Sequence, residues 1–275
     1  MSDWRLAYHA NCWGPLGGNA VGVTSITQLT YRTFGDMALA AREIAAAGYE
    51  GIEFFDGNIL DGEADGFAAL RASLDDTGLK LVAVYSGANF VFGDILDEEL
   101  ARIECAAKAA QALGAEHLVI GGGAKRVSGL RDGDFGALAR GLDRASAIAC
   151  GYGLRAHYHP HLSTIVEGPD EVRRIFAMTD IGFCPDTAHL AAAGGIPAEM
   201  VREHADRISY VHLKGWQREP FAFTPVDEGE CDNAAVLRAL IDIGYRGWIT
   251  NELDSWPDPL EGARRSLAFV QAHAP

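Results

Sequence analysis

A closed barrel of eight parallel strands, each followed by a helix, is the fold this sequence predicts. Short β-prone runs alternate with longer amphipathic patterns from end to end, and the alternation occurs eight times within 275 residues. A glycine also recurs where several of the helices give way to the next strand. Parallel strands need right-handed helical crossovers, and closing the sheet removes both of its edges, so eight such units in about 250 residues suit a (β/α)8 barrel. A doubly wound open sheet is the rival. It usually carries a glycine-rich nucleotide turn after the first strand, whereas here that strand runs into Asn11-Cys12-Trp13-Gly14.

The strands are expected at Leu6 to Asn11, Gly51 to Phe54, Lys80 to Tyr85, His117 to Gly121, Leu154 to His159, Ile181 to Cys184, Ile208 to Leu213 and Trp248 to Glu252. Ala-rich amphipathic runs mark the helices between them, among them Asp36 to Ala47, Asp97 to Leu113 and Asp132 to Cys150, each opened by an Asp suited to an N-cap. Gly48, Gly114 and Gly244 each stand where a helix turns at once into a strand, a place that asks for the left-handed conformation. Gly121-Gly122-Gly123 reads as a tight turn rather than an anion cradle. Cys12 to Thr33 and Lys214 to Cys231 are irregular and follow strands one and seven, on the face where barrels build active sites; they are candidate lids. No linker or compositional break appears, so residues 1–275 are expected to form one domain.

Composition narrows the partners. With 48% hydrophobic and 22% charged residues the chain can bury a sizeable core, and 23 Lys+Arg against 38 Asp+Glu leave a net charge of -15 that repels phosphate backbones and anionic lipid. No nucleic acid and no membrane partner are expected. No run approaches the roughly 18 apolar residues of a membrane span, and Met1 to Tyr8 lacks the order of a signal peptide, so a cytoplasmic location is expected. The five cysteines are scattered without a C-x-x-C pair, as buried free thiols would be.

The chemistry gathers at the ends of strands five to eight. There stand His157-Tyr158-His159-Pro160-His161 followed by Glu167, then Asp186-Thr187-Ala188-His189, then His212-Leu213-Lys214, then Glu252-Leu253-Asp254. Four successive strands thus deliver Glu or His, Asp, His and Glu to one rim, a set that suits a single divalent ion, Mn, Mg or Co with Zn also possible. His157 and His159 lie two apart and face the same side, one of them a ligand and the other a base on this reading.

Asp186-Thr187-Ala188-His189-Leu190, His212-Leu213-Lys214, Gly229-Glu230-Cys231-Asp232 and Gly247-Trp248-Ile249-Thr250-Asn251-Glu252 resemble the motifs of the xylose isomerase-like TIM barrels, the sugar phosphate isomerases/epimerases. The nearest likeness is to the inosose dehydratase branch, whose fifth strand is similarly rich in His and followed by Glu. By that resemblance Asp186, His212 and Glu252 match metal ligands, with Glu167 as the fourth and His157 in reserve. Ser163-Thr164 departs from the Gly-Thr of that branch. His189 matches a histidine that holds a substrate oxygen; the alternative is a helix-capping role. Glu53 is read as a contact to a substrate hydroxyl or as an inward structural acid paired with a basic residue. Lys214 is a candidate for an anionic or hydroxyl group beside His212, or else a solvated loop lysine. Trp13 and Tyr8 either line the sugar face or pack in the core.

Such a site implies an enzyme that takes the proton next to the carbonyl of a keto-sugar or cyclitol, with Glu252, His159 and Glu167 as candidate bases and an enediolate between substrate and product. An imidazole pair on strand five favours dehydration or β-elimination; ketose 3-epimerisation and sugar isomerisation share the intermediate. A non-catalytic sugar-binding subunit and a homo-oligomer are the other expectations carried forward, while an apurinic endonuclease is disfavoured by the acidic balance.

Overall fold

The computed structural model describes residues 4–16 and 31–274. Ten strands are present among them: β1 (Arg5–His9), β2 (Gly51–Phe55), β3 (Lys80–Ala88), β4 (His117–Gly122), β5 (Arg155–Tyr158), β6 (Gly182–Phe183), β7 (Tyr210–Leu213), β8 (Gly215–Gln217), β9 (Ala222–Thr224) and β10 (Trp248–Asn251). The helices are α1 (Met37–Ala47), α2 (Asp56–Leu60), α3 (Ala68–Thr77), α4 (Leu96–Ala112), α5 (Asp134–Gly151), α6 (Pro169–Phe176), α7 (Thr187–Ala192), α8 (Pro197–Glu203), α9 (Asn233–Asp242) and α10 (Pro259–Ala272).

Eight of the strands form one all-parallel sheet in the order β6-β5-β4-β3-β2-β1-β10-β7. Parallel bridges Phe183↔Ile208 and Asp186↔His212 join its two ends, so the barrel is closed as expected. These eight strands coincide with the eight read from the sequence to within a few residues at each end. The segment after strand seven is not irregular, however. Residues 215–224 fold into the antiparallel hairpin β8–β9, with Trp216 opposite Phe223, because those two aromatics are buried while the connecting Phe221 remains exposed. Residues 17–30 of the other candidate lid lie outside the described residues.

Local chemistry accounts for the boundaries. Asp36 caps α1 by accepting from the Ala38 and Leu39 amides. Asp97, expected as a cap, instead sits within the first turn of α4, where a negative charge still favours the helix N-terminus, and Asp132, expected to open α5, stands two residues before its first residue, Asp134, with Gly133 at the cap. Gly48, Gly114 and Gly244 take φ values of 107°, 80° and 69°, the left-handed turns that the sequence requires. Gly122 is a close approach rather than an anion cradle, since a Cβ there would stand 1.9 Å from the Ala88 carbonyl oxygen.

Two apolar clusters hold the barrel. The larger one lies between sheet and helices and includes Ile44, Ile103, Leu138, Leu142, Val172 and Leu240. The smaller fills the barrel interior with Ala7, Val82, Ala83, Val119, Tyr210 and Trp248. Above this interior plug, towards the strand C-terminal ends, side chains turn polar.

Candidate metal centre

Four consecutive barrel strands each bring one ligand-type side chain to the mouth. His159 follows β5 directly, its amide still held by the Ile120 carbonyl at 2.9 Å. Asp186 follows β6 and caps α7 by accepting from the His189 amide at 3.0 Å. His212 lies on β7, and Glu252 follows β10 with its amide on the Leu213 carbonyl at 3.0 Å. All four are buried, and one ligand atom from each lies within 4.8 Å of the others.

Among the described residues, the atoms that face one another make no hydrogen bond and have only charged neighbours at ion-pair distance. His159 Nε2, Asp186 Oδ2, His212 Nδ1 and Glu252 Oε2 are buried and make no hydrogen bond among the described residues. Asp186 Oδ2 stands 3.4 Å from His159 Nε2, and Glu252 Oε2 stands 2.7 Å from His212 Nδ1. Buried polar atoms without a hydrogen bond are costly and uncommon, and here they converge on one point. Two carboxylates with two imidazoles are a donor set that a borderline divalent cation accepts, so the residues fit such an ion.

The surroundings are acidic and held by one lysine. Lys214 is fully buried, and its Nζ lies 2.7 Å from Glu252 Oε1, 3.3 Å from Asp186 Oδ2, 3.3 Å from both oxygens of Asp254 and 3.4 Å from His189 Nε2. Burial works to raise the Asp186 carboxyl, but the Lys214 and His189 charges outweigh it and hold the group below its ordinary range. Burial also pushes Asp254 up to about 7 despite Lys214. Burial would lower His212, yet the carboxylates of Glu53 and Glu252 on either side raise it to about 10. Four buried carboxyls, those of Glu53, Asp186, Glu252 and Asp254, thus share the cations Lys214 and His212. A dication suits that balance.

The family model for the Xylose isomerase-like TIM barrel matches residues 41–273. The chain belongs to that family. An inosose dehydratase from Geobacillus kaustophilus is 28% identical over 222 residues, covering 69% of this chain and 72% of that protein. One from Bacillus licheniformis is 32% identical over 165 residues, covering 52% and 55%. Among solved structures, a Methylomonas D-allulose 3-epimerase in complex with D-allulose superposes with a TM-score of 0.76 at 19% identity, over 99% of this chain and 98% of that one. A Mycobacterium smegmatis barrel of the same family in complex with magnesium gives 0.75 at 15% identity, over 99% and 98%. These last two likenesses concern the fold.

Within this family barrel, Asp186, His212 and Glu252 come together as the sequence reading expects, and His159 stands in the fourth place. Glu167 does not join them. Its carboxylate accepts from the Ser163 amide and pairs with Lys125 at 2.7 Å, partly exposed on the segment that leads into α6. The reason lies in the end of β5: residues 157 and 159 alternate inward, and after Pro160 the chain turns away, with Ser163 at φ 69°. His157, the reserve, points inward one step deeper. Its Nε2 lies 2.9 Å from His117 Nδ1, and burial together with the nearby Arg155 charge lowers it to about 3.

Lys214 and His189 are at the centre, Lys214 as a buried ion-pair partner and not as a solvated loop residue. His189 packs its ring on His161 at 3.7 Å between centroids, tilted by 39°, and meets Phe223 from the hairpin edge-on. Glu53 is buried beneath His212, away from the mouth. Trp13 packs its ring edge on Tyr8 and donates its indole N–H to Glu43 on α1 at 2.6 Å, a rim-packing role. Asn11 and Asp254 are site neighbours the sequence reading did not single out: the Asn11 amide donates to Glu252 Oε1 at 3.1 Å and to Asp254 Oδ1 at 2.8 Å. Asp254 and His161 each lie two residues beyond a cluster member, and Asn11 two beyond His9, so the period of an extended chain was the available signal.

Proposed function

We propose that this chain is a divalent-metal-dependent enzyme that removes the proton next to the carbonyl of a keto-sugar or keto-cyclitol and then eliminates a β-hydroxyl as water. The observation that carries the proposal is the convergence of His159, Asp186, His212 and Glu252, each with a buried atom facing the others, from four adjacent strand ends. The inosose dehydratase name of the curated relatives supports the dehydration branch.

His159, Asp186, His212 and Glu252 hold the ion on this reading, and Glu167 has no ligand role. A divalent ion there supplies Lewis acidity at the substrate carbonyl, favouring the negative charge that develops as the neighbouring carbon loses its proton. Glu252 is the group assigned to take that proton. Lys214 and Asn11 orient its Oε1. Lys214 and His189 stand side by side as donors to substrate oxygens. The imidazole pair available to assist the leaving hydroxyl is His161 with His189, because His157 is sequestered with His117 and His159 belongs to the ligand set. The hairpin's Phe223, 4.6 Å from Lys214 Nζ, and Tyr85, edge-on to His159, wall the site from water.

Incubating the manganese-loaded protein in deuterated water with a panel of inososes, ketohexoses and 3-keto-glycosides tests this. Deuterium at the carbon next to the carbonyl, with loss of water from an inosose, is expected. Exchange followed by inversion without loss of water would assign the epimerase branch instead, and binding without any exchange would leave a sugar-binding subunit.

A further inference from the structure

We infer that Glu53 is the positioning residue of the metal centre: it keeps a proton on His212 Nε2, so that Nδ1 is the atom His212 offers to a cation held with His159, Asp186 and Glu252. The inference rests on the reading of those four residues as a cation site, and it assigns Glu53 a role other than contact with substrate.

Glu53 is the central residue of β2 and is wholly buried. Its Oε2 accepts from the Tyr210 hydroxyl at 2.5 Å and lies 2.9 Å from His212 Nε2. The direction of every proton in this chain of contacts follows from the groups themselves. An ionised carboxylate has only lone pairs, so Tyr210 must donate to it, and the Thr250 hydroxyl, 2.6 Å behind, must donate to Tyr210. For the same reason His212 must present Nε2–H to Glu53. Nδ1 points at the cluster, 2.7 Å from Glu252 Oε2, and without an ion it too carries a proton; with Nε2–H held by Glu53, the Nδ1 proton is the one a cation displaces.

His9 closes the other side. Its Nδ1 accepts from the Asn11 amide at 3.1 Å, which leaves a neutral His9 with its proton on Nε2, 3.7 Å from Glu53 Oε1. Donors therefore surround the carboxylate, and among the described residues no lysine or arginine pairs with it. A buried carboxylate without a permanent cation is costly to keep if its only task is to accept from Tyr210, since a glutamine carbonyl would do that without charge. What glutamine cannot do is forbid the wrong tautomer. Its NH2 group can donate to His212 Nε2 and send the imidazole proton to Nδ1, against the cation. Carboxylates that orient ligating imidazoles in this way are a general feature of metal sites.

The test compares manganese affinity, measured by chelator competition, in the wild type, Glu53→Gln and Tyr210→Phe. Glu53→Gln is expected to weaken binding by about 10- to 100-fold. Tyr210→Phe, which removes one hydrogen bond but leaves the charge, is expected to weaken it by about two- to fivefold. Nitrogen-15 spectra of the metal-free proteins, with His212→Gln to assign the resonance, read the device directly: Nε2 keeps its proton in the wild type and loses it in Glu53→Gln. Equal affinities in all three proteins, or a protonated Nε2 in Glu53→Gln, overturns the inference. A wild type that takes up no manganese defeats the reading of the site as a metal centre, whereas the spectra still decide whether Glu53 sets the tautomer.

Discussion

The layer between sheet and helices and the interior of the barrel are built on opposite terms. Outside, the inner faces of α1, α4, α5, α6 and α9 present Ile44, Ile103, Leu138, Leu142, Val172, Leu237 and Leu240, all without exposed surface. Inside, the apolar Ala7, Ala83 and Val119 share the barrel with the His117–His157 pair, Tyr210, Glu53 and His212, and the cluster stands at the mouth. The first region gains free energy by removing apolar surface from water. The second buries charge that apolar neighbours could not solvate, and so depends on ion pairs and aligned donors. The contrast teaches that this barrel draws its stability from its sleeve and leaves its axis free for chemistry.

The sharpest way to break that contrast is at the mouth. Glu252→Gln should lower solvent-deuterium exchange at the substrate carbon by at least about 10²–10⁴-fold, the usual contribution of a general base, while thermal unfolding of the metal-free protein stays near that of the wild type. Unchanged exchange would remove Glu252 from the mechanism. In the sleeve, Leu240→Ala should cost about 2–5 kcal/mol in denaturant unfolding yet leave the manganese affinity of the folded protein unaltered. A fall in both would mean that the two regions are not separable.

The assignment of the fourth ligand is sharpened by a pair of variants. His159→Ala is expected to weaken manganese binding by about 100-fold or more, since loss of a ligand exceeds loss of its supporting shell. Glu167→Gln, at the exposed Lys125 pair, is expected to leave it within about twofold. The reverse order in a chelator titration would restore Glu167 to the centre.

The smallest effect concerns the polar column at its deeper end. Burial first, and then the neighbouring His157 and Arg155 charges, lower His117 far below its ordinary 6.5. The folded protein therefore keeps this imidazole neutral while the unfolded chain takes up a proton as the pH drops below 6.5. Its contribution to stability is full above that pH and declines below it, by at most about 1.4 kcal/mol per pH unit. His117→Gln should flatten the acid limb of a Tm-against-pH curve between pH 6.5 and 4. An equally steep limb in that variant would place the acid sensitivity elsewhere.

Much of this was legible in the residues. Alternating runs and the turn glycines at 48, 114 and 244 set out the eight strands, and the strand-end acids and imidazole with the family likeness pointed to Asp186, His212 and Glu252, which the structure brings within 4.8 Å of one another. The fourth position was not legible. Alternation places His157 and His159 on one face of β5, but no pattern along the chain states how deep each one sits; only the tertiary structure sets His157 against His117 and brings His159 Nε2 to 3.4 Å from Asp186 Oδ2. Glu167 was drawn in by likeness to relatives, whereas its segment turns outward to Lys125. The hairpin 215–224 was missed because three-residue strands are too short for a period to show.

What the sequence determined by itself is periodicity and punctuation, and hence the architecture, because the two-residue and 3.6-residue periods and the need for left-handed turns are local properties of a backbone. What only the tertiary structure decided is which side chains share a level. Lys214 among three carboxyls, Asn11 bridging Glu252 and Asp254, and Glu53 behind His212 join residues that are distant along the chain. Their meeting is set by the stagger of the strands around the closed barrel, a quantity that no single segment encodes.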